Sequence, residues 1–200
     1  MNLPNKLVVA RILLIPVFLY FMLAANVLHE WLFPAYDVPW FLFRLLALVA
    51  FLVAAFTDFL DGYLARRWNQ VTNFGKLMDP LADKMMVCAA LVALTFLQEL
   101  SAWVVVVIIS REFFVTALRQ LALEKGSKVV AASLLGKAKT VTQITMVVMI
   151  MVGFGRQTPD IFAFPWLHML TDVVIWVAVA LTLLSAAEYA WQNRAAFKND

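Results

Sequence analysis

Cysteine is almost missing. Cys88 is the only one in 200 residues, which excludes an intrachain disulfide and any metal site built on a cysteine cluster. That thiol reads as a structural one in an apolar helix. Histidine is equally scarce, and His29 and His168 read as interfacial residues in or near loops. Charged residues make up 14% of the chain, against roughly 25% in ordinary globular domains. The N-terminus lacks the charged, apolar and small-residue order of a cleaved signal peptide, because Pro4 and Asn5 precede a long apolar run. The first helix is therefore expected to remain. No soluble linker, low-complexity tract or repeat interrupts the sequence, so 1–200 reads as a single domain.

What the chain has instead is apolar surface. Hydrophobic residues make up 64% of it, and the mean hydropathy is +0.86. One small soluble core cannot hide that excess, so lipid must cover much of it. A membrane-spanning helix needs about 20 largely apolar residues. Six runs qualify, at about 7–28, 39–65, 77–97, 102–123, 133–154 and 166–189. Their length identifies them as helices, which periodicity cannot do in fully apolar runs. The expected fold is all-α, a polytopic membrane protein with six transmembrane helices.

The cations orient it. Lys6 and Arg11 start the first span. Arg66, Arg67, Lys76 and Lys84 surround the second connection. Arg111, Arg119, Lys125, Lys128, Lys137 and Lys139 surround the fourth, and Arg194 and Lys198 lie in the tail. Of the 16 Lys and Arg, only Arg44 and Arg156 fall on the opposite side. The positive-inside rule then places both termini in the cytoplasm. Trp31, Trp40, Trp103, Trp166 and Trp191 sit near span ends, where amphipathic rings favour the interface.

Four carboxylates stand out against this background. Asp58 and Asp61 lie near the end of the second span; Asp79 and Asp83 open the third. Residues three or four apart share a helix face, so each pair stacks. A loop of about ten residues is expected between the two helix ends, with Pro80 in a first-turn position, where its missing N–H is harmless. A carboxylate deep in a membrane helix costs about 2.5–3.5 kcal/mol. Four together also repel, and need counter-cations or protons. Their oxygen-only chemistry suits a hard divalent cation, Mg²⁺ or Mn²⁺, and argues against zinc. Gly62 and Ala65 allow close approach to the backbone, and Arg66, four residues after Gly62, offers paired hydrogen bonds to phosphate.

These residues spell Asp-x2-Asp-Gly-x2-Ala-Arg-x8-Gly-x3-Asp-x3-Asp, from Asp58 through Asp61, Gly62, Ala65, Arg66, Gly75 and Asp79 to Asp83. The pattern resembles the signature of the CDP-alcohol phosphotransferase family, and the six-span layout is similar too. The resemblance implies joining of a CDP-linked donor to an alcohol, with release of CMP. It implies that Asp58, Asp61 and Asp79 hold two divalent metals, that Asp83 completes the metal site and acts as general base, and that Gly62, Ala65 and Arg66 contact the CDP group. Asn5, Thr72 and Gly75 occupy places similar to further nucleotide contacts. A homodimer is also implied.

A second group of cations bears on the acceptor. Arg111 interrupts an apolar run, and Arg119 lies two turns on, roughly on the same side. Lys137 and Lys139 begin the fifth span. An intramembrane cation should face a cavity or a partner. Arg111, Arg119, Lys137 and Lys139 are expected to form an anion pocket for a phosphorylated acceptor. The competing role for Arg111 is a structural pair with a site carboxylate or with Glu112, and Lys125 and Lys128 read as solvated loop residues. The blocks Ser110-Arg111-Glu112-Phe113 and Gly136-Lys137-Ala138-Lys139-Thr140 resemble those of bacterial family members that use glycerol 3-phosphate. The resemblance thus implies CDP-diacylglycerol and glycerol 3-phosphate as substrates, a bacterial cytoplasmic membrane as location, and no nucleic-acid partner. Sister activities with cardiolipin-, serine- or inositol-phosphate-type acceptors stay open, as does an ion or proton transporter. A transporter would place its acids nearer the bilayer midplane.

Overall fold

The computed structural model describes residues 3–24, 40–68, 73–124, 134–154 and 165–192, with side chains described at 9–24, 41–57, 84–120, 134–153 and 166–192. Among the described residues there are six long helices and no strand. They are α1 (Leu3–Leu23), α2 (Trp40–Trp68), α3 (Asn73–Phe96), α4 (Ala102–Glu124), α5 (Leu134–Met149) and α6 (Pro165–Gln192). Each of the six expected runs overlaps one helix among the described residues. Several helices extend into polar turns that a hydropathy reading does not register. The clearest case is α3. It begins at Asn73 rather than near position 77, so Pro80 sits in the helix interior and not in its first turn. The gap between α2 and α3 is correspondingly short, residues 69–72 in place of about ten.

Two helices, Leu134–Gly153 and Trp166–Gln192, are long and apolar enough to cross a membrane; Val9–Leu23, Phe41–Thr57 and Lys84–Phe96 are shorter apolar helices among the described residues. Large apolar side chains are exposed throughout, including Leu13, Phe56 and Phe96 and, further on, Trp103, Trp176 and Leu184. Water-soluble monomers rarely expose contiguous apolar surface on this scale.

The chain forms two compact units, Met1–Glu99 and Leu100–Asp200. In the first, α2 and α3 each pack mainly on α1. The buried stripe of α1 is Arg11, Ile15, Phe18 and Met22, at helical spacing. Phe18 meets Phe51 of α2 with ring centroids 6.1 Å apart. Small residues line the rest of that contact, Ala47, Ala50 and Ala54 on α2 and Ala90 and Ala93 on α3. They let the helices approach closely, as membrane helices commonly do. In the second unit α6 packs on both α4 and α5. Beyond Met149, α5 widens into a π-helical turn, Ile150–Phe154, where Gly153 takes φ 106°. Only glycine adopts that value without strain.

Several threonine hydroxyls in these apolar helices are satisfied locally. The hydroxyls of Thr95, Thr116, Thr142, Thr145 and Thr171 each donate to the carbonyl four residues earlier, at 2.7–3.0 Å. Such back-bonding hides a hydroxyl without a partner from another helix.

Candidate active site

In the first unit the buried stripe of α2 runs through Phe43, Arg44, Ala47, Ala50, Phe51 and Ala54. Its register falls next on positions 58 and 61. The stripe of α3, Met86, Ala90, Ala93 and Leu94, extends backward to positions 83 and 79. The four aspartates therefore occupy the continuation of the two faces that pack on α1. At ~1.5 Å per residue, Asp61 lies about 10 Å before the end of α2 and Asp79 about 9 Å after the start of α3. Asp58 and Asp83 each lie about 15 Å from the same connection. The acids thus fall into two depth-matched pairs, 61 with 79 and 58 with 83. A gap of four residues limits the Cα separation of the helix ends to ~19 Å, at 3.8 Å per step. Gly62, Ala65 and Arg66 follow on α2, and Gly75 lies in the first turn of α3. Asn5 lies in the first turn of α1. The side chains of all these residues are outside the described set, as are Thr72, Lys125 and Lys128 entirely.

At the opposite end of α2 and α3 the chain makes a contact that sequence reading missed. The Arg44 guanidinium grips the Glu99 carboxylate with both terminal nitrogens, Nη1 donating to Oε1 at 2.6 Å and Nη2 to Oε2. Both side chains are buried, at 3% and 4% exposure. Glu99 reaches this position through a tight helix end. Its N–H bonds the carbonyl of Leu94, and the N–H of Gln98 bonds that of Thr95. This is the Schellman pattern, with Gln98 at φ 59° in the place usually held by glycine. The available clue was Arg44 itself, a lone cation near the start of an apolar span, which must find a partner.

The second unit carries the other candidate group. The buried stripe of α4 is Val104, Val105, Ile108, Arg111, Glu112, Val115 and Leu118, so two charged residues lie in the packed face itself. Glu112 Oε1 accepts from Arg111 Nη1 at 3.2 Å and from Lys139 Nζ of α5. Arg111 Nη2 donates to Ser185 Oγ of α6 at 2.9 Å. Ser185 donates in turn to the Thr182 carbonyl at 3.0 Å, and Gln143 of α5 donates to Thr182 Oγ1 at 3.1 Å. The result is a buried polar network joining three helices. Arg111 and Lys139 are brought together through Glu112. Lys137 and Arg119 are not part of it, and both are exposed. Arg119 does not share the side of Arg111: eight residues at 100° per residue leave it about 80° further round the helix. Its guanidinium carbon instead lies 6.0 Å from the centroid of the Tyr189 ring, beside the cluster of Val115, Leu118 and Tyr189.

Comparison with known proteins agrees with the pattern. The family profile described as CDP-alcohol phosphatidyltransferase matches residues 1–184. A CDP-diacylglycerol–glycerol-3-phosphate 3-phosphatidyltransferase of Bacillus subtilis (strain 168) is 44% identical over 198 residues, covering 98% of this chain and 97% of that protein. Proteins with the same name from Shigella flexneri serotype 5b (strain 8401) and Rickettsia bellii (strain RML369-C) are 36% identical over 200 residues and 34% identical over 189. They cover 97% and 94% of this chain, and 96% and 93% of their own lengths. With its acidic positions paired in depth on two joined helices and a profile match over nearly its whole length, the chain belongs to the CDP-alcohol phosphatidyltransferase family.

Proposed function

We propose that this chain transfers the phosphatidyl group of CDP-diacylglycerol to glycerol 3-phosphate, giving phosphatidylglycerophosphate and CMP. The observation that carries the reading is full-length similarity to proteins of that name, together with the depth-matched acids on α2 and α3. The acceptor hydroxyl attacks the lipid-proximal phosphorus, and the bond from that phosphorus to the CMP oxygen breaks. Asp83 takes the hydroxyl proton as the new bond forms; an alcohol of high pKa needs such a base. Gly62 and Ala65 leave room for the nucleotide beside the backbone, Arg66 offers paired donors to its phosphates, and Asn5, Thr72 and Gly75 add contacts.

The donor set fits divalent cations: four carboxylates in two matched pairs, with no histidine or cysteine within the motif. Asp58, Asp61, Asp79 and Asp83 would hold two ions, Mg²⁺ or Mn²⁺, which when bound neutralise the pyrophosphate and the charge at phosphorus. Arg111 and Lys139, with Lys137 nearer the surface, bind the phosphate of the acceptor.

The same reading sets the protein in a bacterial cytoplasmic membrane, with six spans, both termini and the acidic end on the cytoplasmic side, and a homodimer as the assembly. The distribution of Lys and Arg and the exposed apolar surface support the topology.

The test uses purified enzyme, labelled glycerol 3-phosphate and CDP-diacylglycerol. Labelled lipid should form with Mg²⁺ or Mn²⁺ and cease on chelation. Absence of labelled lipid, with product from serine or inositol phosphate instead, would overturn the acceptor assignment. CMP release independent of any acceptor would overturn the transferase itself.

A further inference from the structure

Glu112 stands in an unusual position. It lies in the packed stripe of α4, and one of its oxygens serves cations on two helices, Arg111 Nη1 at 3.2 Å and Lys139 Nζ. All three side chains are buried, at 8%, 11% and 9% exposure for Arg111, Glu112 and Lys139. Glu99, by contrast, meets Arg44 with both of its oxygens. Two long, flexible cations drawn to one carboxylate are instead held in a fixed relation to each other.

Arg111 is gripped from a second direction. Its Nη2 donates to Ser185 Oγ at 2.9 Å, and Ser185 is itself anchored on the Thr182 carbonyl at 3.0 Å. With both terminal nitrogens tied to different helices, the plane of the guanidinium is set. Its Nε is buried without a hydrogen-bond partner among the described residues. A planar guanidinium fixed in this way keeps Nε–H and one N–H on each terminal nitrogen, donors of the kind that recognise a phosphate. Without such clamping, each cation would lose rotamer freedom on meeting its ligand, which weakens binding.

We propose that Glu112 is a positioning residue for acceptor recognition, aligning Arg111 and Lys139 toward the acceptor phosphate, with Ser185 as the second clamp on Arg111. This rests on the reading of Arg111 and Lys139 as acceptor-phosphate ligands, and the experiment separates the two. Glu112 touches neither the reacting phosphorus nor the attacking hydroxyl in this account. Its loss therefore acts on acceptor KM rather than on kcat.

Steady-state kinetics of the purified full-length enzyme, varying each substrate in turn, decide the matter. Glu112→Gln keeps the shape and removes the charge. It should raise the glycerol 3-phosphate KM about tenfold, with kcat and the CDP-diacylglycerol KM changing by less than about twofold. Glu112→Asp should recover part of that loss. Ser185→Ala removes one clamp and should raise the same KM about threefold. It carries the test alone if Glu112→Gln does not fold. A folded Glu112→Gln enzyme with unchanged glycerol 3-phosphate KM, or one losing only kcat, overturns the positioning role if Lys139→Gln does raise that KM. An unchanged KM in Lys139→Gln and Arg111→Lys overturns the pocket itself, and the positioning role with it. Failing a folded Glu112→Gln, an unchanged KM in Ser185→Ala overturns the clamp.

Discussion

Each unit buries one glutamate against arginine, and the two arrangements differ in a telling way. Glu99 and Arg44 meet with both nitrogens on both oxygens, some fourteen residues along α2 from Asp58, or about 21 Å. Glu112 shares a single oxygen between Arg111 and Lys139, among residues expected to bind the acceptor. The first pair is remote from the acids, and it joins α2 and α3 where no chain connects them. The second is a branched network with hydroxyls and an amide attached. The first ties two helices through two parallel hydrogen bonds. The second holds two cations in a fixed relation to each other.

Variants can break that contrast or sharpen it. The largest expected effect lies at the acidic end of the first unit. Asp83→Asn should lower kcat by about 10²–10⁴-fold, the range for loss of a general base, with an unchanged unfolding midpoint. Near-normal turnover would remove Asp83 as the base. At the other end of the same helices the signature should reverse. Glu99→Gln leaves Arg44 buried without the Glu99 charge and should cost about 3–5 kcal/mol in denaturant unfolding, with both KM values unchanged in the folded fraction. Replacing both partners, Arg44→Leu with Glu99→Leu, should restore most of that stability, because a buried ion pair contributes little over apolar packing. A double variant as unstable as the single one would mean that the pair is more than a tie.

A smaller effect is expected in the network of the second unit. Thr182→Val strips the acceptor from Gln143 and should destabilise by about 1–3 kcal/mol, leaving the glycerol 3-phosphate KM within about twofold. A large KM change there would extend the positioning role beyond Glu112 and Ser185. The smallest concerns the turn that delivers Glu99 to Arg44. Gln98→Gly relieves a left-handed residue and should stabilise by about 0.5–1 kcal/mol. Destabilisation would show that the Gln98 side chain contributes more than its backbone costs.

How much of this was legible in the sequence follows from the range of each signal. The helices were, because an apolar run of helix length is local. That the acids lie on two successive helices was, because each helix is a local feature. The start of α3 was not: Asn73, Gly75 and Lys76 are polar, and an apolar window cannot follow a helix into a polar first turn. Arg44 was counted only for its side of the membrane. Its partner is 55 residues away and depends on how two helices align. Glu112 was weighed as a partner for Arg111, its neighbour, while its contact with Lys139 spans 27 residues and a different helix. Arg119 was misplaced by treating eight residues as two whole turns.

The Arg44–Glu99 pair also bears on how the chain is made. Were α2 to enter a bilayer alone, it would carry an unmatched guanidinium, at a cost of about 2.5–3.5 kcal/mol near the midplane and less toward the interface. Arriving with α3 as a hairpin, it brings its counter-charge along. The two helices would then be a single cargo for the insertion machinery, and α2 expressed without α3 should insert less completely than the hairpin in a translocon assay. Equal insertion of α2 alone would mean that the pair forms only after both helices are in place.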